Sequence, residues 1–162
     1  MDYYEIFKKF NDLKIDYIIV GGLAVNFHGV PRMTYDIDIM INLKKDNIKK
    51  LVDELIKWGY KLKIPVSPQE LSDIKKIKKW IKEKNVKAIN FYHEKYPIAE
   101  IDIILDSPIP YSKLKKNIVF FEIYGEKLPV ININDLIYIK SKSKRKQDLA
   151  DVYNLKRILE MK

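Results

Sequence analysis

Apolar side chains recur at helical spacing over residues 2–13, where Tyr3, Ile6, Phe7 and Phe10 share a face. The same period returns over 46–58, where Ile48, Leu51, Val52, Leu55 and Ile56 make a stripe, Asp46 stands at the N-cap and Gly59 follows the last turn. Residues 17–20 are continuously apolar and predict a buried strand. Gly21-Gly22 breaks that run, and 23–27 read as a brief helix ending near His28-Gly29, ahead of Pro31. Over 35–41 the period drops to two: Ile37, Ile39 and Ile41 point to one side of a strand, Asp36 and Asp38 to the other. Strands are expected over 86–93 and 98–105, able to pair as a hairpin, and over 118–124 and 127–130, a second hairpin around Gly125-Glu126. Pro65 and Pro68 mark a loop before a lysine-rich helix, capped by Ser67 or Ser72, that runs to about Lys84 with Trp80 on its apolar side. Helices over 134–140 and 147–160 close the chain. The order α-β-α-β-α-α-β-β-β-β-α-α implies an α+β or α/β fold on one mixed sheet flanked by helices.

Composition narrows the class. With 162 residues, 47% hydrophobic and 33% charged, the chain is long enough for one buried core and short for two. No apolar run reaches the roughly 20 residues that cross a bilayer. The first residues lack a basic stretch followed by an apolar core, so no signal peptide and no membrane partner are expected. The absence of cysteine excludes disulfides and thiolate metal sites and fits a cytoplasmic setting. The formal charge of +9 favours phosphate-bearing partners. Lysine supplies nearly all of it, and arginine occurs only at 32, 145 and 157.

Asp36 and Asp38 carry the first chemistry. Like charges on one strand face oppose each other unless something offsets them. A divalent cation with a preference for hard oxygen ligands would do so; two solvated acids are the plainer alternative. Asp102 lies on a second acid-bearing strand with Glu100, and it joins the pair if the two strands are neighbours. Three converging carboxylates can hold two Mg²⁺ ions and clamp an in-line displacement at phosphorus. Asp106 reads as a strand-end cap. Gly21-Gly22 is either an ordinary strand-to-helix turn or a place where phosphate oxygens reach backbone N–H groups. Arg32, four residues before Asp36, is within reach of a phosphate, a task its permanent charge suits. The phosphate-loop and dinucleotide glycine signatures are absent.

Val20-Gly21-Gly22, thirteen residues, then Asp36-Ile37-Asp38-Ile39 resembles the signature of the DNA polymerase β-like nucleotidyltransferase superfamily. The fuller string from Gly21 to Asp38 is similar to small bacterial and archaeal nucleotidyltransferases related to the abortive-infection toxins. Ile101-Asp102-Ile103 resembles the third-acid strand of that group. Residues 135–140 followed by Arg145-Lys146-Gln147-Asp148-Leu149-Ala150-Asp151 resemble its C-terminal helical motif. The resemblance implies one nucleotidyltransferase domain over 1–162, with a catalytic core over about 1–106 and a hairpin and helices over about 107–162. It implies that Gly21 and Gly22 hold a triphosphate and that Asp36, Asp38 and Asp102 bind Mg²⁺ as the catalytic acids. Lys140 would contact nucleotide phosphates, and Asp148 would lie near nucleotide or acceptor. Two departures stand out: Gly22 where serine is frequent, and Lys144 where a small residue is usual. The implied activity moves a nucleoside monophosphate from a nucleoside triphosphate to a hydroxyl of RNA, a protein or a small molecule. The alternative is a non-catalytic nucleotide- or RNA-binding module, or an antitoxin-like partner, on the same fold.

Overall fold

The computed structural model describes residues 2–96 and 99–162. In chain order the elements are α1 (Tyr3–Asp12), β1 (Tyr17–Val20), α2 (Gly21–Phe27), β2 (Ile37–Ile41), α3 (Lys45–Lys57), β3 (Lys61–Leu62), a 3₁₀ turn (Pro68–Ser72) and α4 (Ile74–Lys84). There follow β4 (Ala88–Tyr92), β5 (Ile101–Ile104), α5 (Tyr111–Leu114), a second 3₁₀ turn (Lys115–Asn117), β6 (Val119–Ile123), β7 (Glu126–Val130), α6 (Ile133–Ser141) and α7 (Lys146–Glu160). The strands form one mixed sheet in the order β3-β4-β5-β2-β1-β7-β6. β2 runs parallel to β5 and β1 parallel to β7, and the other pairings are antiparallel. The C-terminal hairpin therefore continues the sheet built by the first hundred residues.

Strand alternation sets which side carries chemistry. Ile37, Ile39, Ile89, Phe91, Ile101 and Ile103 are fully buried and join one core with Ile6, Phe7 and Phe10 of α1, Ile48, Leu51 and Leu55 of α3, and Ile77 of α4. The intervening Asp38, Asn90 and Asp102 are half-buried on the opposite face. Period-two patterning thus converts directly into a greasy side and a polar side of the central strands.

Local determinants explain the remaining elements. Asp2 and Glu5 form a capping box on α1, and Asp73 caps α4 by accepting from the Lys76 N–H at 3.2 Å. Ser67 and Glu70 form another capping box on the first 3₁₀ turn, so the serine starts that turn and Asp73 starts the helix. The expected α3 cap is not Asp46: the helix begins one residue earlier, after Lys44, without a side-chain cap. Asn47 instead turns inward, bonding the backbone of Asp16 and Asn42. Ile56, expected in the apolar stripe, is 39% exposed. Gly59 takes its place after α3 at φ +93°. The second hairpin turns at Tyr124-Gly125, not Gly125-Glu126, and both residues have the positive φ that a two-residue hairpin turn needs. The strand expected over 98–105 begins at Ile101, and Ile98 lies outside the described residues. β3 and α5 were not expected from periodicity. Among the described residues no helix is long and apolar enough to cross a membrane.

Candidate active site

The register of two parallel strands builds the centre. Asp38 on β2 lies directly opposite Asp102 on β5, between the pairs Ile37–Ile101 and Ile39–Ile103. Paired residues of neighbouring strands project to the same side, so the two carboxyl groups are close enough for Asp102 to raise Asp38. Asn90, opposite Asp102 on the other flank, donates to its Oδ1 at 2.8 Å. Asp36 sits just before β2, held by a segment that Tyr3 ties down: its hydroxyl donates to the carbonyls of Thr34 at 3.3 Å and Tyr35 at 3.1 Å.

Charge is crowded here. Burial, with Asp102 and then Asp36 alongside, pushes the Asp38 carboxyl up to about 7. Asp36 is raised too, through burial and the neighbouring Asp102 and Glu100. Among the described residues no lysine or arginine forms an ion pair with Asp36, Asp38 or Asp102, while Glu100 is engaged by Lys63 at 2.7 Å. Nor, among them, is any group of three acids or histidines drawn tightly enough to make a preformed metal cage. The donor chemistry nonetheless fits Mg²⁺: hard carboxylate oxygens, mutually repelled and without a cationic side chain, at a cation that keeps water and phosphate in its shell.

Gly21 faces this pair. Its φ is +67°, and a Cβ there would lie 2.1 Å from Asp38 Oδ2, so neither backbone nor space admits a side chain. A Cβ on Gly22 would meet Arg32 Nη1 at 2.6 Å and Thr34 Oγ1 at 2.9 Å. Arg32 is thereby laid on the glycine turn.

The C-terminal helices bring the remaining charges. Lys140, buried on α6, sits between Asp148 and Asp151 of α7, with its Nζ 2.9 Å from a carboxylate oxygen of each. Arg145 grips Asp148 at 2.9 Å and 3.2 Å. Burial alone would raise Asp148, but hydrogen bonds from Arg145, Ser143 and Lys140 hold it far below the usual carboxylate range. Arg32 Nη1 reaches Asp151 at 3.2 Å, and Gln147 donates to the other oxygen of Asp151 at 3.1 Å. Gly21, Asp38, Lys140, Arg145 and Asp148 line one pocket of about 190 Å³, whose floor includes Met40, Ile104 and Leu136.

The structure thus gathers Gly21, Asp38, Lys140 and Asp148 at one pocket, with Asp102 and Asp36 beside Asp38 and Arg32 beside Gly22. His28 is the C-cap of α2 and bonds the Ile131 carbonyl at 2.7 Å, as a residue ordering the helix end. Asp106 is paired with Lys87 at 2.6 Å. Arg145 and Asp151 stand in the C-terminal motif read from the sequence without a role of their own, and Asn90 was not singled out. The Asp148-x-x-Asp151 spacing, which puts both acids on one helix face, and the alternation that sets Asn90 beside Asp102 were the available signals.

The architecture is a nucleotidyltransferase fold. The lincosamide antibiotic adenylyltransferase LnuA, in a lincomycin-bound crystal structure, is similar at a TM-score of 0.65 and 19% identity, over 96% of this chain and 94% of that one. An antigenic nucleotidyltransferase-like protein from Paracoccidioides brasiliensis matches at 0.52 and 18%, over 91% and 70%. TM1012 from Thermotoga maritima, a nucleotidyltransferase candidate, matches at 0.53 and 16%, over 99% and 94%. No family model and no curated protein sequence matches the chain.

Proposed function

We propose that this protein is a Mg²⁺-dependent nucleotidyltransferase that moves a nucleoside monophosphate from a nucleoside triphosphate to a hydroxyl acceptor and releases pyrophosphate. The observation carrying this reading is the β2–β5 register, which sets Asp38 opposite Asp102 on the face against which Gly21 is pressed. Asp36, Asp38 and Asp102 would hold the metal, two ions in the full complement. Bound there, it supplies charge neutralisation for the triphosphate and for the leaving oxygen. Gly21, which lines the pocket, would bring its backbone to phosphate oxygens, and Gly22 would let Arg32 lie close over the turn. Arg32 and Lys140 present fixed positive charge, and Asp148 orients Lys140. Asp102 takes the acceptor proton as the hydroxyl oxygen bonds to the α-phosphorus, and the electron pair of the breaking bond leaves with pyrophosphate. Residues 1–162 act as one unit in this scheme, with the segment after residue 107 contributing Lys140 and Asp148.

The acceptor is RNA, a protein side chain or a small molecule. The basic composition supports the first two. The lincosamide adenylyltransferase of the same fold makes ATP with a small molecule the first pair to test. A role within a toxin–antitoxin pair belongs to the protein-partner branch and would show as co-purification with that partner. The test is pyrophosphate release from labelled triphosphates with Mg²⁺ and each acceptor class. Asp38→Asn and Asp102→Asn are expected to lower turnover at least about 100-fold while thermal unfolding stays cooperative. Nucleotide binding without pyrophosphate from any acceptor would leave only a binding module.

A further inference from the structure

We propose that Asp151 is the positioning residue of this site: a single carboxylate that fixes both phosphate-directed cations, Arg32 from the loop before β2 and Lys140 from α6. The inference rests on the nucleotidyltransferase reading and extends it to a residue on the last helix. Asp151 is 1% exposed. Its Oδ2 lies 2.9 Å from Lys140 Nζ and 3.2 Å from Arg32 Nη1, and its Oδ1 accepts from Gln147 Nε2 at 3.1 Å. Both cations belong to the site: Lys140 lines the pocket with Gly21 and Asp38, and the same Arg32 Nη1 that meets Asp151 occupies the space beside Gly22. Arg32 Nε is buried without a hydrogen-bond partner, so the Nη1 contact with Asp151 is what anchors the guanidinium.

Two explanations of Asp151 give opposite signs. Lys140, Arg32 and Arg145 against Asp148 and Asp151 make three cations and two carboxylates, one positive charge in excess. If Asp151 only tempered that charge, removing its negative charge would strengthen attraction for a triphosphate. If it positions, Asp151→Asn frees Arg32 and leaves Lys140 held by Asp148 alone, so more side-chain freedom is lost on binding and affinity falls. We expect Asp151→Asn to raise the KM for nucleoside triphosphate about tenfold, with kcat changed less than about threefold. The unrelated half of the site, read as Mg²⁺ protection of Asp36 and Asp38 against thermal unfolding, should be unchanged. Tighter or equal nucleotide affinity in a folded Asp151→Asn protein overturns the proposal.

A cycle of Arg32→Gln, Lys140→Gln and the double variant serves if Asp151→Asn does not fold. Among the described residues Asp151 is the ion-pair partner that Arg32 and Lys140 share, so positioning predicts that their effects on nucleotide affinity are non-additive by at least about threefold. Additive effects overturn it. Wild-type protein that binds no triphosphate at any Mg²⁺ concentration counts against the nucleotidyltransferase reading itself; failure of Asp151 alone shows as intact wild-type binding with an unaffected variant.

Discussion

Asp38 is the residue on which the site's behaviour turns, because its neighbours leave it poorly matched when no cation is present. Its folded pKa of about 7 lies above the ordinary 3.8, so the folded protein keeps a proton that the unfolded chain has lost across that window. Its contribution to stability is therefore complete below about pH 4 and disappears as pH rises to about 7, a loss of at most about 4 kcal/mol. In chelator, the thermal midpoint of the wild-type protein is expected to fall from pH 5 to pH 8, and Asp38→Asn is expected to flatten that slope. Mg²⁺ should protect more at pH 8 than at pH 5, since protons and cation compete for the same oxygens. Equal protection at both pH values would remove Asp38 from the ligand set. Gly21 is constrained in a second way. Alanine there must accept φ +67° and displace Asp38 at once. Gly21→Ala should cost at least roughly 2 kcal/mol in urea unfolding and abolish turnover, whereas alanine at exposed Gly125, which meets nothing within 4 Å, pays only the backbone term.

At the scale of elements, α7 is the support for Lys140 and Arg32. Asp148, Asp151 and Leu155 share its buried face, and Leu155 is fully enclosed. Leu155→Ala is expected to cost about 2–5 kcal/mol of stability. Because the acids one and two turns earlier ride on the same helix, nucleotide affinity should weaken with it. Loss of stability with unchanged affinity would show that the acids keep their places without the helix packing. The sequence made some of this legible. Ile37, Asp38 and Ile39 alternate, and so do Ile101, Asp102 and Ile103, so the polar face of each strand could be read directly. The pairing of these strands was a conditional expectation, since no local signal sets a register between segments 64 residues apart. β3 has no period of its own to read, because it is two residues, Lys61 and Leu62, paired with β4. The Asp151 contacts escaped for a related reason: Arg32 and Asp151 are 119 positions apart, and on its own Asp-x-x-Asp is an unremarkable helix pattern.

For the molecule as a whole, the question is where the excess positive charge acts. The formal charge is +9, yet three lysines on or next to β3 and β4 are already matched. Lys61 meets Glu94 at 2.7 Å, Lys63 meets Glu100 at 2.7 Å and Lys87 meets Asp106 at 2.6 Å. Lys75, Lys78 and Lys82, by contrast, lie exposed along α4, whose Ile77 is packed into the core. A polyanion lying over these three pairs would release few counterions there. Turnover with a small-molecule acceptor is accordingly expected to change less than about threefold between 50 and 200 mM KCl, since only the nucleotide itself would be screened. An RNA acceptor that neutralised six or more lysines would lose about a thousandfold over the same range. Measuring the salt slope of turnover with both acceptors separates these cases. A steep slope abolished by Lys75→Glu, Lys78→Glu and Lys82→Glu together would locate an RNA track on α4. A shallow slope that those changes leave untouched would mean that composition, and not function, set the charge.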